Sequence, residues 1–226
     1  MSLTNTIDEA PPRNGARLYP RTLPQPILDK LRPIARGISR MLWSVEWRHT
    51  ERIPREGGVI IAANHQTYVD PVWVAIPVNR PTRFLAWDEA FEWPIVGKTL
   101  TWLGAWPLQL EKSDPTAIKR TYQWLRDGGA VVLFPEGGRG NPDASMRKFK
   151  PGAVRIALET EVPILPVTIR GGEKVWPNTL RLPRFRRHVE VIYHPPMVVQ
   201  PRENEDVREC ARRESERLAA IINSAL

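Results

Sequence analysis

A histidine and an aspartate stand five residues apart, directly after an apolar stretch that is typical of a buried strand. The stretch runs from Gly58 to Ala63, and His65 and Asp70 follow it. Catalytic groups in α/β sheets gather at the carboxyl ends of strands. A carboxylate that reaches back to the imidazole would fix its tautomer and stabilise its protonated form, as a general base requires. On spacing alone, an Asp70 that merely caps a helix beginning at Pro71 is the simpler interpretation.

A second polar group follows another apolar stretch, Ala130 to Phe134. It consists of Glu136, Gly137, Gly138 and Arg139. Glycines let backbone N–H groups approach a ligand closely, and the guanidinium of arginine matches the geometry of a phosphate. Arg147, Lys148 and Lys150 precede a predicted helix N-terminus, where free N–H groups favour anions. The pattern predicts an anion site, and a glycine-rich turn with solvated cations is the alternative.

The sequence lacks the patterns of covalent and metal catalysis. It contains no Gly-x-Ser-x-Gly elbow and no His-Glu-x-x-His or Cys-x-x-Cys spacing, and its single cysteine is Cys210. We therefore expect no metal or other cofactor at the site. If His65 acts, we expect it to deprotonate the hydroxyl of a substrate.

Strands and helices alternate along most of the 226 residues, which predicts one α/β domain with a largely parallel central sheet flanked by helices. We assign this domain to residues 51–226. Strands are predicted at 58–63, 82–86, 130–134, 164–169 and 189–193. Helices are predicted at 71–77, 88–103 with a break near Pro94, 115–127, 151–161 and 203–226.

The first 50 residues have a different character. Residues 1–24 are rich in proline and show no periodicity, which predicts a disordered arm. Residues 25–50 predict an amphipathic helix, because apolar side chains recur at steps of four and three: Ile27, Leu31, Ile34, Ile38, Leu42 and Val45. Such a helix could associate with a membrane interface or pack on the domain, and both arrangements need the same apolar stripe.

The net charge of +8 is concentrated in two segments. Eight basic and two acidic residues lie between Arg13 and Thr50, and six basic and one acidic residue lie between Arg170 and Arg187. Local basicity of this kind favours phosphates or an anionic lipid surface as partner. The run from Arg181 to Arg187 could bind headgroups or the phosphates of coenzyme A, or could be a solvated loop.

Charge and hydropathy also limit the partners and the location. The cations do not alternate with aromatic residues as in nucleic-acid recognition motifs, so we expect no nucleic-acid partner. No apolar run approaches the length of a membrane span, and the N-terminus does not look like a secretory signal. We expect a peripheral protein on the cytoplasmic face of a membrane.

Four blocks of this sequence resemble the signatures of the glycerolipid acyltransferases typified by 1-acylglycerol-3-phosphate acyltransferase. His65–Asp70 resembles their H-x4-D signature, and Phe134–Arg139 resembles their F-P-E-G-T-R block. Phe149–Ala153 and Val162–Val167 are similar to their F-K-x-G-A and V-P-[IV]-x-P-V blocks. Because the four blocks occur in the family's order, the resemblance is more specific than any single motif.

The resemblance implies transfer of a fatty acyl group from acyl-CoA or acyl carrier protein to a hydroxyl of a lysophospholipid. His65 would be the general base and Asp70 its orienting partner. The acceptor and its phosphate would be bound by Glu136, Gly137, Gly138, Arg139 and Lys150. The donor site or acyl pocket would be lined by Trp106, Pro163 and Pro166.

Two departures from the family pattern concern the acceptor. Leu110 stands where the family usually has an arginine that contacts phosphate, and Lys112 follows two residues later. Trp87 stands where relatives commonly carry lysine. An acceptor without phosphate therefore stays open, as does a non-catalytic membrane or anion-binding module on the same fold.

Overall fold

The apolar stretches of the sequence form one sheet in the computed structural model, which describes residues 22–87, 91–92, 94–108, 114–141, 143, 145–177, 180 and 182–226. The strands are β1 (Val45–Arg48), β2 (Val59–Ala63), β3 (Thr82–Trp87), β4 (Ala105–Leu108), β5 (Ala130–Leu133), β6 (Ile164–Arg170) and β7 (Val189–Tyr193). Their order across the sheet is β1-β7-β6-β2-β5-β3-β4. Strands β2 to β6 are mutually parallel, β7 is antiparallel to β6, and β1 is parallel to β7. The predicted α/β architecture is confirmed.

Helices cover both faces of the sheet. They are α1 (Gln25–Trp43), α2 (Asp70–Ala75), α3 (Pro94–Trp102), α4 (Pro115–Arg126), α5 (Gly152–Thr160), α6 (Gly172–Val175) and α7 (Val207–Asn223), and a 3-10 turn spans Thr50–Arg52. One core lies between the sheet and α2, and the other lies under α4, α5 and α7. The central strands β2 and β5 are buried along their whole length because apolar side chains face both cores.

The N-terminal helix is shorter than predicted. It ends at Trp43, because Ser44 adopts a left-handed conformation, and Val45 begins strand β1. The sheet therefore starts before residue 51. Of the predicted disordered arm, residues 1–21 lie outside the described part of the chain, and the backbone N–H of Leu23 donates to the carbonyl of Trp102 at 3.0 Å.

The apolar stripe of α1 faces away from the domain. Five of its side chains are between 43% and 72% exposed: Ile27, Leu31, Ile34, Ile38 and Met41. The helix is attached through its other side, where Ser39 and Trp43 are buried and the indole N–H of Trp43 donates to the carbonyl of Arg184 at 2.9 Å. None of the helices in the described part of the chain is long and apolar enough to cross a membrane.

Candidate active site

The carboxyl end of β2 is tied to the carboxyl end of β6 by a buried asparagine. The side-chain amide of Asn64 donates to the carbonyl of Ile169 at 2.9 Å, and its oxygen accepts from the N–H of Ile169 at 2.7 Å. The tie completes the hydrogen bonding of the strand ends, so the next residue, His65, begins its turn from a fixed point.

His65 and Asp70 meet across this turn, as predicted. His65 Nδ1 lies 3.0 Å from Asp70 Oδ2. A carboxylate only accepts hydrogen bonds, so the proton of the neutral imidazole is on Nδ1 and Nε2 is the free acceptor. This is the tautomer that a general base needs, because Nε2 can then take a proton from a substrate hydroxyl.

Asp70 is fully buried, and its carboxylate is held by the turn itself. Oδ2 accepts from the backbone N–H groups of Gln66 and Thr67 at 2.6 and 2.7 Å, and Oδ1 accepts from the Thr67 hydroxyl at 2.6 Å. Asp70 is the first residue of α2 and makes no capping hydrogen bond within the helix. The predicted N-cap role is therefore wrong: the carboxylate points back into the turn, where three donors and the imidazole surround it.

The glycine-rich turn after β5 holds His65 from the other side. The imidazole lies against the ring of Phe134, with centroids 4.1 Å apart and planes 23° from parallel. The N–H of Gly140 donates to the carbonyl of His65 at 2.5 Å, and the N–H of His65 donates to Glu136 Oε1 at 2.8 Å. Ring, carbonyl and amide of His65 are thus all fixed.

Glu136 bridges two backbone segments. Its Oε1 accepts from His65, and its Oε2 accepts from the N–H of Arg147 at 2.7 Å. Burial raises the pKa of Glu136 above its ordinary value, and the two backbone hydrogen bonds oppose part of that rise. Because both oxygens already accept from backbone amides, the geometry favours a positioning role, and its predicted contact with the acceptor stays a prediction.

Three cations surround the Gly137-Gly138 turn. A Cβ built on Gly137, whose φ is +68°, would lie 2.8 Å from Lys150 Nζ, and one built on Gly138 would lie 3.2 Å from Arg147 Nη1. The two glycines therefore leave the space that these cations occupy. Arg147 and Lys150 are two of the three cations that the sequence places before the predicted helix N-terminus, and the structure brings both to this turn.

Arg139, the third cation, lies over the aromatic ring of Tyr68. Its guanidinium carbon is 3.8 Å from the ring centroid, and Nη2 donates to the Tyr68 hydroxyl at 2.9 Å. Nη1 is shielded from solvent and has no hydrogen-bond partner among the described residues. Within the same part of the chain, none of the three cations forms a salt bridge with a carboxylate, so their charge is available to an anion.

The predicted donor or pocket residues do not lie beside His65, and their role stays a prediction. Trp106 is fully buried in β4 beneath α4, where its ring meets that of Trp124 at 5.9 Å. Pro163 precedes the amino end of β6, at the sheet edge opposite His65, and Pro166 is buried in the middle of that strand. The carboxyl end of β6, rather than Pro163 or Pro166, lies beside the turn of His65.

That carboxyl end contributes a glycine. A Cβ added to Gly172 would lie 3.6 Å from Asp70 Oδ1 and 3.3 Å from Gln66 Cβ, so a larger residue would crowd the turn. Leu110 and Lys112 lie outside the described residues, and of Trp87 only the backbone, in β3, is described. The departures that bear on the acceptor therefore stay predictions.

A groove of about 570 Å³ runs between residues 146–151 and α7. Its apolar lining includes Met146, Phe149 and Ala219. Its charged lining consists of four cations and one carboxylate: Arg147, Lys148, Arg208, Arg212 and Glu216. Because Arg147 is hydrogen-bonded to Glu136, one wall of the groove is joined directly to the residue that fixes the His65 backbone.

Comparison with known proteins gives one family match and several relatives. A model of the acyltransferase family matches residues 44–170. The 1-acyl-sn-glycerol-3-phosphate acyltransferase of Streptococcus pneumoniae is 31% identical over 165 residues, which cover 70% of this chain and 58% of the relative. That of Bacillus subtilis is 29% identical over 122 residues, covering 54% and 60%. A chloroplastic one from Brassica napus is 29% identical over 140 residues, covering 61% and 40%.

A solved structure shares the fold. The 1-acyl-sn-glycerophosphate acyltransferase PlsC from Thermotoga maritima superimposes with a TM-score of 0.67 and 24% sequence identity, covering 88% of this chain and 79% of that chain. The matches to the three curated relatives span between 40% and 60% of those proteins' own lengths.

Proposed function

The chain belongs to the acyltransferase family, and on that basis we propose that it transfers a fatty acyl group from a thioester donor to the free hydroxyl of 1-acylglycerol-3-phosphate or a related lysophospholipid. The observation that carries the proposal is the contact of 3.0 Å between His65 Nδ1 and buried Asp70. The relatives from S. pneumoniae, B. subtilis and B. napus, all named as acyltransferases for this acceptor, support it.

In the proposed reaction His65 Nε2 takes the proton of the acceptor hydroxyl as the oxygen attacks the thioester carbonyl. The imidazolium is stabilised by the carboxylate of Asp70 on Nδ1. The tetrahedral intermediate then breaks its carbon–sulfur bond, and the departing thiolate receives the proton from Nε2. The ester and the free thiol are the products, and the protein forms no covalent intermediate.

For the acceptor, the three cations around the glycine-rich turn support a phosphate. Arg139 has a shielded Nη1 without a partner among the described residues, and Arg147 and Lys150 approach the same turn. A phosphate monoester bound here would receive charge-assisted hydrogen bonds close to His65. An acceptor without phosphate would leave these cations unused.

For the donor, we propose the groove along α7. Apolar walls with four cations suit a molecule that combines an acyl chain with phosphates, as acyl-CoA does, or the acidic surface of an acyl carrier protein. Reversing the charge of Arg208 or Arg212 should raise the KM for the donor several-fold and leave the KM for the acceptor unchanged. Equal effects on both substrates would exclude the groove as the donor site.

We also propose that the protein is attached peripherally to a membrane through the exposed stripe of α1. In this organisation the helix Gln25–Trp43, within the predicted membrane segment 25–50, provides the membrane contact, and the catalytic domain, predicted at residues 51–226, includes strand β1 as well. The predicted disordered arm, residues 1–24, falls mostly outside the described part of the chain and stays a prediction. The cytoplasmic face and the lack of a nucleic-acid partner stay predictions of the sequence.

The proposed chemistry can be tested with purified protein, an acyl thioester and 1-acylglycerol-3-phosphate, by following release of the thiol. We expect His65→Ala to lower the rate by about 10²- to 10⁴-fold, the usual contribution of a positioned general base. His49→Ala is a matched control, because His49 contacts Glu51 at 3.3 Å in an exposed pair beyond β1. Equal rates in wild type and His65→Ala would contradict the mechanism.

The acceptor can be tested separately with a panel of lysolipids. We expect 1-acylglycerol-3-phosphate to react faster than monoacylglycerol, and Arg139→Met to reduce that preference by about tenfold, the effect of losing one charged hydrogen bond. A preference that is unchanged in Arg139→Met would show that the phosphate binds elsewhere. Equal rates for both acceptors in the wild type would favour the acceptor without phosphate.

A further inference from the structure

Residues 182–187, which we name the basic loop, expose apolar and cationic side chains together. Leu182 is 77% exposed and Phe185 is 55% exposed. The three arginines of the loop, at positions 184, 186 and 187, are also exposed, and none of them forms a salt bridge within the described part of the chain. A soluble surface seldom presents large apolar side chains beside unneutralised cations, so this loop indicates a binding surface.

The basic loop is fastened to the carboxyl end of α1. The N–H of Arg186 donates to the carbonyl of Leu42 at 2.7 Å, and the indole N–H of Trp43 donates to the carbonyl of Arg184 at 2.9 Å. The ring of Phe185 stacks on that of Trp43, with centroids 6.0 Å apart. The loop is therefore packed against the last turn of α1, in which the side chain of Met41 is 72% exposed.

The basic loop is also connected to the active site. The N–H of Arg184 donates to the carbonyl of Val175, and the next residue, Trp176, meets the ring of Tyr68 edge to face at 5.3 Å. Tyr68 in turn carries Arg139 on its ring. A continuous series of contacts thus joins the last turn of α1, the basic loop and the cation predicted to bind the acceptor.

The charge beside the loop is also positive. A concave surface of about 540 Å³ is lined by Arg48, Arg170, Lys174, Arg186, Arg187 and His188, with Glu190 at its base. Glu190 is already paired with Arg48 and Arg170, so the remaining cations are not neutralised by it. Exposed apolar tips with flanking cations are the combination that binds the interface of an anionic bilayer.

We infer that the basic loop is a second membrane contact, which places Leu182 and Phe185 in the interface beside α1 and its arginines among anionic headgroups. The two contacts together fix the rotation of the domain about the long axis of α1, which one helix alone cannot do. Tyr68 and Arg139 are then held close to the bilayer surface, where a lysolipid reaches His65 without crossing water. This inference deepens the proposed function, because it concerns how a lipid acceptor enters the same site.

Insertion can be measured with a fluorophore that brightens and shifts to the blue in an apolar environment. The only native cysteine, Cys210, is fully buried, so Leu182→Cys offers a single accessible thiol for labelling. Ile34→Cys reports on α1 in the same way. The control is Val198→Cys, because Val198 is 61% exposed but lies next to the bridge between Ile164 and Met197, at the opposite edge of the sheet.

With vesicles of phosphatidylcholine and phosphatidylglycerol, we expect the labels at positions 182 and 34 to shift to the blue and the label at position 198 to stay unchanged. Lipids that carry a quencher near the headgroup should quench the first two labels only. A response at position 34 without one at position 182 would overturn the inference. The inference would also be overturned if the label at position 182 responded to acyl carrier protein but not to vesicles. The same holds if the label responded to a rise in protein concentration without vesicles.

A second measurement uses Leu182→Asp, with Val198→Asp as the matched control. We expect the first variant to bind the same vesicles about tenfold more weakly, the effect of losing one buried leucine side chain, and the second to bind as the wild type does. Unchanged binding of Leu182→Asp would overturn the inference. A short-chain acceptor below its micellar concentration should be acylated equally by both variants. If the wild type does not acylate this acceptor, the proposed function is contradicted, whereas the measurement of insertion stands by itself.

Discussion

Two regions of the molecule bury carboxylates in opposite ways. At the carboxyl edge of the sheet, Asp70 and Glu136 accept hydrogen bonds from backbone amides, and His65 is the only ionisable side chain of the described residues that is hydrogen-bonded to either. In α7, Glu214 is just as buried but is paired with Arg213 and Arg217. The difference lies in what balances the negative charge.

The choice of partner decides what each carboxylate can do. An arginine is permanently charged, so a glutamate paired with it is neutralised and serves the stability of the fold. Backbone amides carry only partial charges, so Asp70 keeps its net charge and could stabilise the imidazolium that the proposed reaction forms. Exchanging or removing these partners should therefore affect the rate in one region and the stability in the other.

The largest effect is expected at Asp70. In Asp70→Asn the side-chain oxygen can still accept from the turn amides, but the amide group offers no negative charge and can present N–H to Nδ1, which selects the wrong tautomer. We expect the rate of acyl transfer to fall by about 10³- to 10⁴-fold. The measurement is thiol release at saturating donor and acceptor.

Glu214→Gln is the control for this variant, because it removes an equally buried charge from α7. Its rate should stay within about twofold of the wild type, since the described partners of Glu214 are Arg213 and Arg217 and not residues of the turn of His65. A similar loss of rate in both variants would show that the distinction between the two regions is false.

The next effect is expected at Glu136. Glutamine has one acceptor oxygen, so in Glu136→Gln either His65 or Arg147 loses the partner of its backbone N–H. A lost partner at a buried amide costs about 1 to 3 kcal/mol, and we expect part of this cost to appear as a rate about ten- to a hundredfold lower. Circular dichroism and thermal melting would check that the fold is kept, and an unchanged rate would contradict the positioning role.

A smaller effect, on stability alone, is expected in α7. Glu214→Gln weakens the hydrogen bonds of two arginines and should lower the free energy of unfolding by about 1 to 2 kcal/mol. Urea denaturation followed by tryptophan fluorescence gives this number. Stability equal to the wild type, together with a lower rate, would reverse the assignment of roles.

The sequence alone predicted those features of the fold and the site that depend on the local pattern of residues. Apolar stretches and their spacing identified strands β2, β3, β5, β6 and β7. The five-residue interval allowed the contact between His65 and Asp70, but on spacing alone a helix cap was the simpler interpretation, and it was the family resemblance that favoured the contact. The sequence was insufficient for β1, because Val45 continues the helical periodicity of α1. The sequence does not show that Ser44 adopts a left-handed conformation and ends the helix just before Val45. It was also insufficient for β4, a strand of four residues that contains Pro107 and forms an edge of the sheet.

Long-range partners account for the remaining differences. Nothing in the residues around Glu136 shows that both oxygens accept from backbone amides, one from the turn after β2 and the other eleven residues downstream. Nor does the Val162–Val167 block show that its prolines lie below the site, since this depends on the register of β6 against β2. Such features follow from the sheet order, which pairs strands distant in sequence.

The smallest expected effect is a pH dependence that has opposite signs in the two regions. Hydrogen bonds from Arg213 lower the pKa of Glu205 to about 2, whereas burial raises the pKa of Glu136. The stabilisation by Glu205 is therefore present above its ordinary pKa near 4.5 and is lost as the pH falls towards about 2. That of Glu136 is present below its ordinary pKa and is lost as the pH rises through its raised value.

We expect Glu205→Gln to lose less stability than the wild type when the pH is lowered from neutral to about 3, because the variant has no carboxylate to protonate there. Glu203→Gln is the matched control, since Glu203 is exposed and forms no ion pair within the described part of the chain. Glu136→Gln should differ from the wild type in the opposite sense, gaining relative stability as the pH rises from about 4 towards neutral. The measurement is the urea midpoint of each variant, relative to that of the wild type, at several pH values across this range. If this difference changes with pH in the same direction for Glu205→Gln and Glu136→Gln, the two carboxylates do not have pKa values shifted in opposite directions, and the comparison is contradicted.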